Sequence, residues 1–167
     1  GCKVVGEGGN LGFTQLGRIE YATRGGRINS DAIDNSAGVD CSDHEVNIKI
    51  LLGDVMTRKN MTLKQRDALL VRMTDEVADH VLINNYQQTQ AISLAQFSAH
   101  SLLDAQQRQM RALERAGRLE RDIEFLPSDE EIDERFTAKQ GLTSPETSVL
   151  QAYAKIAVYD ALLESDL

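Results

Sequence analysis

The sequence predicts a small α/β part over residues 1–41 followed by a mainly α-helical region over residues 42–167. Three observations lead there. CKVV at 2–5 and RIN at 27–29 read as short strands, with a glycine-rich loop, GEGGNLG, after the first. From Ser42 onward, apolar residues recur at helical spacing behind repeated capping pairs. Neither proline interrupts that pattern: Pro127 closes an acidic connector, and Pro145 sits where a last helix begins.

The elements follow in order. CKVV is a buried-strand pattern, and a lone strand leaves its backbone groups without ladder partners. The chain is therefore expected to be a piece of a larger protein; the alternative is that its first strand pairs with residues 26–29. Residues 13–23 form a short helix through Leu16, Ile19 and Ala22, stopped by Gly25 and Gly26. The stretch IDNSAGVDCSDHE at 33–45 carries no amphipathic period and is expected as a turn-rich segment leading into a helix. Ser42 followed by Glu45 is a capping box, opening a helix that ends near Gly53. Thr62 and Gln65 repeat the device, and Leu63, Leu70, Met73, Val77 and Val81 carry that helix to about residue 83. Residues 85–116 are the longest helical pattern, with Ile92, Ala95, Ala99, Leu102, Met110 and Leu113 on one face. Such a length calls for a kink or for packing against a partner. Ser128 and Glu131 cap a short helix to about Ala138, and Ser144 with Pro145 starts the last one, lined by Val149, Tyr153, Ile156 and Leu163.

Composition excludes several functions. Apolar residues at 41% and charged residues at 26% describe an ordinary globular chain. A net charge of −8 argues against a nucleic-acid surface and against an anionic membrane surface, both of which need cationic neutralisation. Cys2 and Cys41 are too few for a disulfide scaffold, so a reducing, cytoplasmic setting is the economical reading. No apolar run approaches the roughly 20 residues that span a bilayer, and the first residues lack a signal peptide's order.

The motifs leave alternatives open. GEGGNLG places Gly6 and Gly8 where a dinucleotide fingerprint wants glycine, but Leu11 stands at its sixth position. It is either a plain glycine loop or the border of a cofactor, with Gly8, Gly9 and Asn10 near the ligand. Cys41 and His44, beside Asp40 and Asp43, form one possible metal-ligand pair with no second pair, and a weak Cys–His nucleophile pair. No metal is expected. A helix start at Ser42 offers unpaired N–H groups to a carboxylate, next to the small-residue loop that begins at Asn35. His80, His100, Met73 and Met110 read as ordinary helix residues, and the acids around Asp129 as a solvated helix start.

Residues 4–52, VVGEGGNLGFTQLGRIEYATRGGRINSDAIDNSAGVDCSDHEVNIKILL, resemble the large bacterial NAD-specific glutamate dehydrogenases, as does SPETSVLQAYAKIAVYDALLESDL at 144–167. The resemblance implies that residues 1–41 are the end of a Rossmann-type nucleotide-binding domain. It matches Glu7, Gly8, Gly9 and Asn10 to a segment beside the cofactor, with Asn10 at the nicotinamide-side ribose. Leu11, Gly12 and Phe13 depart from the family's usual continuation. It places Asn35 near the nicotinamide, gives Ser42 the side-chain carboxylate of glutamate, and leaves Asp31 a structural role. NAD is the implied cofactor, and L-glutamate and 2-oxoglutarate are the implied partners of a full-length homo-oligomer. The catalytic lysine and aspartate of the family have no counterpart here, so the chain alone is expected to be inactive while contributing part of the cofactor and substrate pocket. The rival expectation is a non-catalytic helical assembly or regulatory module. Convergence of Asn10, Asn35 and Ser42 on one cleft would separate the two.

Overall fold

The structure is a computed structural model that describes residues 1–9 and 12–165. Every regular element among them is helical: α1 (Gln15–Thr23), α2 (Asp31–Asp34), α3 (Ser36–Thr57), α4 (Leu63–Phe97), α5 (Ala99–Arg115), α6 (Arg121–Glu124), α7 (Asp129–Thr137) and α8 (Ser144–Leu163). The expected α/β part is thereby corrected: no strand or sheet is present among the described residues, and no Rossmann-type remnant.

The reason lies in one missing rung. Val4 and Arg27 form a single parallel bridge, with the Val5 N–H donating to Arg27 and the Arg27 N–H to Lys3. Extending the ladder would join the Asn29 N–H to the Val5 carbonyl and then the Glu7 N–H to the Asn29 carbonyl. Instead, that N–H donates to the Asp34 carboxylate at 3.2 Å, and the Asn29 carbonyl accepts from the Arg18 guanidinium at 2.8 Å. Side chains thus take both groups of the second of these bonds, and a ladder of one pair has no cooperative support. Val4 stays 64% exposed.

The chain divides into two compact units, Gly1–Asp34 with Thr89–Leu167, and Asn35–Gln88. In the first, Leu103, Met110 and Leu113 of α5 meet Leu119, Leu126, Ile132, Leu142 and Leu150 in one apolar core. Leu103 and Met110 are fully enclosed, and each such burial stabilises by roughly 1.5–3 kcal/mol. α5 ends where Gly117, at φ 66°, reverses the chain, and Arg118 N–H reaches back to the Leu113 carbonyl. α7 starts with the expected Ser128–Glu131 capping box. α8 is capped one residue earlier than expected, by Thr143 paired with Glu146, with Ser144 and Pro145 in its first turn. Gly141 passes so close to α5 that a Cβ there would lie 2.4 Å from the Ala99 carbonyl carbon, which only glycine permits.

Tyr153 of α8 donates its hydroxyl to Glu124 at 2.7 Å. That bond, followed by burial, pushes its pKa up to about 12. A folded-state value above the unfolded one means that this contribution to stability is complete below about pH 10 and lost as pH rises through 12. Phenolate absorbance is expected to show a late titration step that Tyr153→Phe removes; an unchanged curve would refute the assignment.

In the second unit, α3 and the first part of α4 form an antiparallel hairpin. Ser36 donates its hydroxyl to Asn85, Asn84 donates to Asp40 at 3.0 Å, and the rings of His44 and His80 stack 6.3 Å apart. Leu52 and Val81 are buried. The Thr62–Gln65 box opens α4 as expected, with the Thr62 N–H donating to Gln65 at 2.8 Å and the Gln65 N–H to the Thr62 hydroxyl. The helix then runs past residue 83 to Phe97, and the break in the long pattern comes at Ser98. α3 continues through Gly53 and stops where Lys59 adopts φ 56°. Cys2 in the first unit and Cys41 on α3 are both free and exposed.

Candidate functional site

The most enclosed charge near the predicted site residues is Arg18, whose side chain is 1% exposed. One Nη donates to Glu7 at 2.8 Å and to Asp31; the other donates to the Asn29 carbonyl at 2.8 Å and approaches Asp34 at 3.4 Å. The Phe13 ring lies 5.5 Å from its charge centre. Three carboxylates around one guanidinium tie the segment before the glycine loop to α1 and α2. This assigns Asp31 a visible partner and shows what holds Glu7. Sequence reading missed it because an arginine on a short helix reads as surface. The signal was the trio Glu7, Asp31 and Asp34 flanking that helix, with no other role for all three.

The predicted site residues fall as follows. Gly8 and Gly9 are exposed in the loop after Glu7, and Asn10 lies outside the described residues. Asn35 stands at the N-cap of α3 but makes no capping bond with its side chain. Ser42 is not a cap: α3 has already begun at Ser36, and the Ser42 hydroxyl donates to the Gly38 carbonyl one turn back, at 3.1 Å. Its N–H is therefore inside the helix ladder and not offered to an anion. Asn35 and Ser42 belong to the second unit, whereas Gly8 and Gly9 belong to the first. No cluster of three or more His, Cys, Asp or Glu suited to a metal occurs among the described residues, Cys41 and His44 included. A cavity of about 830 Å³ in the first unit is lined by Ile28, Ile92, Gln96, Arg135 and Thr143, among others, and by none of the predicted site residues.

What the hairpin does present is an apolar stripe. Val39, Val46 and Ile50 recur at spacings of seven and four on α3, with the exposed Asp43 among them one turn from both valines, opposite the side carrying Asp40, His44, Ile48 and Leu52. They are 63%, 53% and 68% exposed.

Residues 1–95 match the family described as bacterial NAD-glutamate dehydrogenase, catalytic domain, and residues 139–167 match glutamate dehydrogenase, C-terminal. The NAD-specific glutamate dehydrogenase of Pseudomonas aeruginosa is 60% identical over 98% of this chain. The chain belongs to the bacterial NAD-glutamate dehydrogenase family. NAD-specific glutamate dehydrogenases of Halomonas elongata and Mycobacterium tuberculosis are 54% and 47% identical, each over 99% of the chain. The chain spans 10% of the length of each of these relatives.

Family membership and pocket do not coincide here. The expectation that this stretch of a glutamate dehydrogenase supplies part of the cofactor and substrate pocket is overturned by the all-helical fold. A dinucleotide cradle needs a strand feeding a tight turn and a helix within a sheet. The glycine loop follows an isolated bridge instead, so the described residues do not fit NAD. Among those residues no helix is long and apolar enough to cross a membrane.

Proposed function

We propose that this chain is a non-catalytic helical assembly module of a longer NAD-dependent glutamate dehydrogenase. The complete polypeptide oxidises L-glutamate to 2-oxoglutarate and ammonium, with NAD as hydride acceptor. The relatives' names and the match to the family support that activity for the whole protein. The assembly role rests on one observation, the exposed stripe of Val39, Val46 and Ile50 on a hairpin already closed by its own seam. Such side chains add nothing to the hairpin itself. Each stabilises only when covered, by roughly 1.5–3 kcal/mol.

Ile50→Asp in the full-length enzyme tests this. Burying a carboxylate in an apolar contact is expected to weaken assembly at least about thirtyfold, read as a smaller particle by light scattering. Far-UV circular dichroism of the 167-residue chain carrying the same change is expected to be unaltered. Unchanged particle mass and unchanged glutamate oxidation in the full-length variant would remove the proposal.

A further inference from the structure

The cavity of about 830 Å³ in the first unit falls within the range of roughly 300–1,000 Å³ that holds a small organic molecule. Ile28, Ile92 and Leu142 give it a buried apolar wall, and Gln96, Thr143 and Ser144 add amide and hydroxyl groups. Its charge sets it apart from the rest of the chain. The sequence carries 26 acidic residues and a net charge of −8, yet no described lining residue is Asp or Glu. Two arginines stand there, Arg27 and Arg135. Arg135 is neutralised by the buried Glu146, at 2.9 and 2.8 Å. Arg27 has no ion pair among the described residues, because the nearby acids are engaged elsewhere: Glu20 with Arg24, and Glu7 and Asp31 with Arg18. One positive charge is thus left uncompensated at the wall.

Backbone groups at the same wall also lack partners. Ile28 follows the bridge residue Arg27, so its N–H and carbonyl face away from residues 2–5. Ile28 is 4% exposed, and neither group has a hydrogen-bond partner among the described residues. The Asn29 N–H and the Val5 carbonyl, which a longer ladder would join, have none there either. Buried backbone groups are nearly always satisfied, by protein, by water or by a ligand. A surface arginine without a partner is ordinary by itself. An unpaired arginine, unpaired N–H donors and a wall without carboxylates at one cavity point to a ligand. We propose that this cavity binds a small organic anion, its carboxylate or phosphate head beside Arg27 and its apolar body against Ile28, Ile92 and Leu142. The free N–H groups favour an acceptor, and the absence of lining carboxylates removes the repulsion that the rest of this acidic chain would impose. Every described lining residue lies in the first unit, so the site is separate from the α3 stripe and independent of the assembly reading.

The test titrates the whole 167-residue chain, at fixed ionic strength, with naphthyl phosphate, naphthoate and the uncharged naphthamide. Calorimetry reads the affinity, and the amide NMR shifts of Ile28 and Thr143 read the place. At least one of the two anions is expected to bind saturably, to move those shifts, and to bind at least about tenfold more tightly than the uncharged amide. Which anion binds distinguishes a phosphate from a carboxylate ligand. Arg27→Gln removes the charge from an exposed side chain, leaves the backbone bridge in place, and is expected to raise the Kd of that anion about tenfold or more. Ser93→Trp, at an exposed lining position, is expected to fill the cavity and abolish binding. Arg24→Gln, exposed and outside the lining, is the control and should change the Kd less than about twofold. Arg27→Gln carries the test alone if Ser93→Trp alters the circular dichroism spectrum. No saturable binding of either anion, an uncharged amide that binds as tightly, shifts confined to other residues, or equal losses from Arg24→Gln and Arg27→Gln would each overturn the site.

Discussion

Arg18→Met is expected to lower the stability of the chain by about 3–5 kcal/mol, among the largest effects of any single change in it. The guanidinium is 1% exposed and stands between Glu7, Asp31 and Asp34, whose side chains are 13%, 25% and 8% exposed. Removing it leaves three crowded carboxylates without a counter-charge and the Asn29 carbonyl without a donor. Methionine fills much of the volume, so the loss reports charge and hydrogen bonding more than a cavity. Arg18→Lys keeps the charge but loses the planar fork that reaches four acceptors, and is expected to recover part of the deficit. Urea unfolding followed by circular dichroism measures both. A deficit below about 1 kcal/mol for Arg18→Met would mean that the cluster is not what holds α1 and α2 to the first residues.

The second large effect belongs to Glu146. Its carboxylate, 1% exposed, accepts from both Arg135 Nη groups at 2.9 and 2.8 Å, and from the Thr143 N–H and hydroxyl at 2.7 Å each. One side chain thus caps α8 and joins it to α7. Glu146→Ala loses the cap, worth about 1 kcal/mol, and strands a half-buried guanidinium, for a combined loss of about 3–5 kcal/mol. Glu146→Gln retains an acceptor and is expected to fall between. Glu130→Ala, on the exposed side of α7, is the control and should stay within about 0.5 kcal/mol of the unaltered chain. Equal behaviour of Glu146→Ala and Glu130→Ala would remove the claim that this carboxylate joins the two helices.

The helical part was legible wherever a local device fixed it. Ser128 with Glu131 and Thr62 with Gln65 cap the helices that they announce, because a capping box is satisfied within four residues and needs no tertiary help. Ser42 with Glu45 carries the same pattern and caps nothing. Residues 36–41 had already entered the helix, and the pattern alone does not say whether the preceding backbone is extended. Gly53 misled in the same way, since a helix tolerates an interior glycine at a cost of about 1 kcal/mol. The two expected strands failed for a tertiary reason. CKVV and RIN do meet, but Arg18 and Asp34 take two of the groups that a longer ladder would use. The kinship of residues 4–52 was readable because it rests on residue identity, which survives without knowledge of the fold. The pocket implied by that kinship was not readable, because a pocket needs a scaffold and these residues build helices.

The distribution of sulfur gives the molecule a built-in ruler. Its two thiols are free and solvent-facing, and one falls in each compact unit, Cys2 in the first and Cys41 in the second. Maleimide chemistry can therefore place a donor and an acceptor dye on the unaltered polypeptide, and energy transfer between them would follow any hinge motion of one unit against the other in real time.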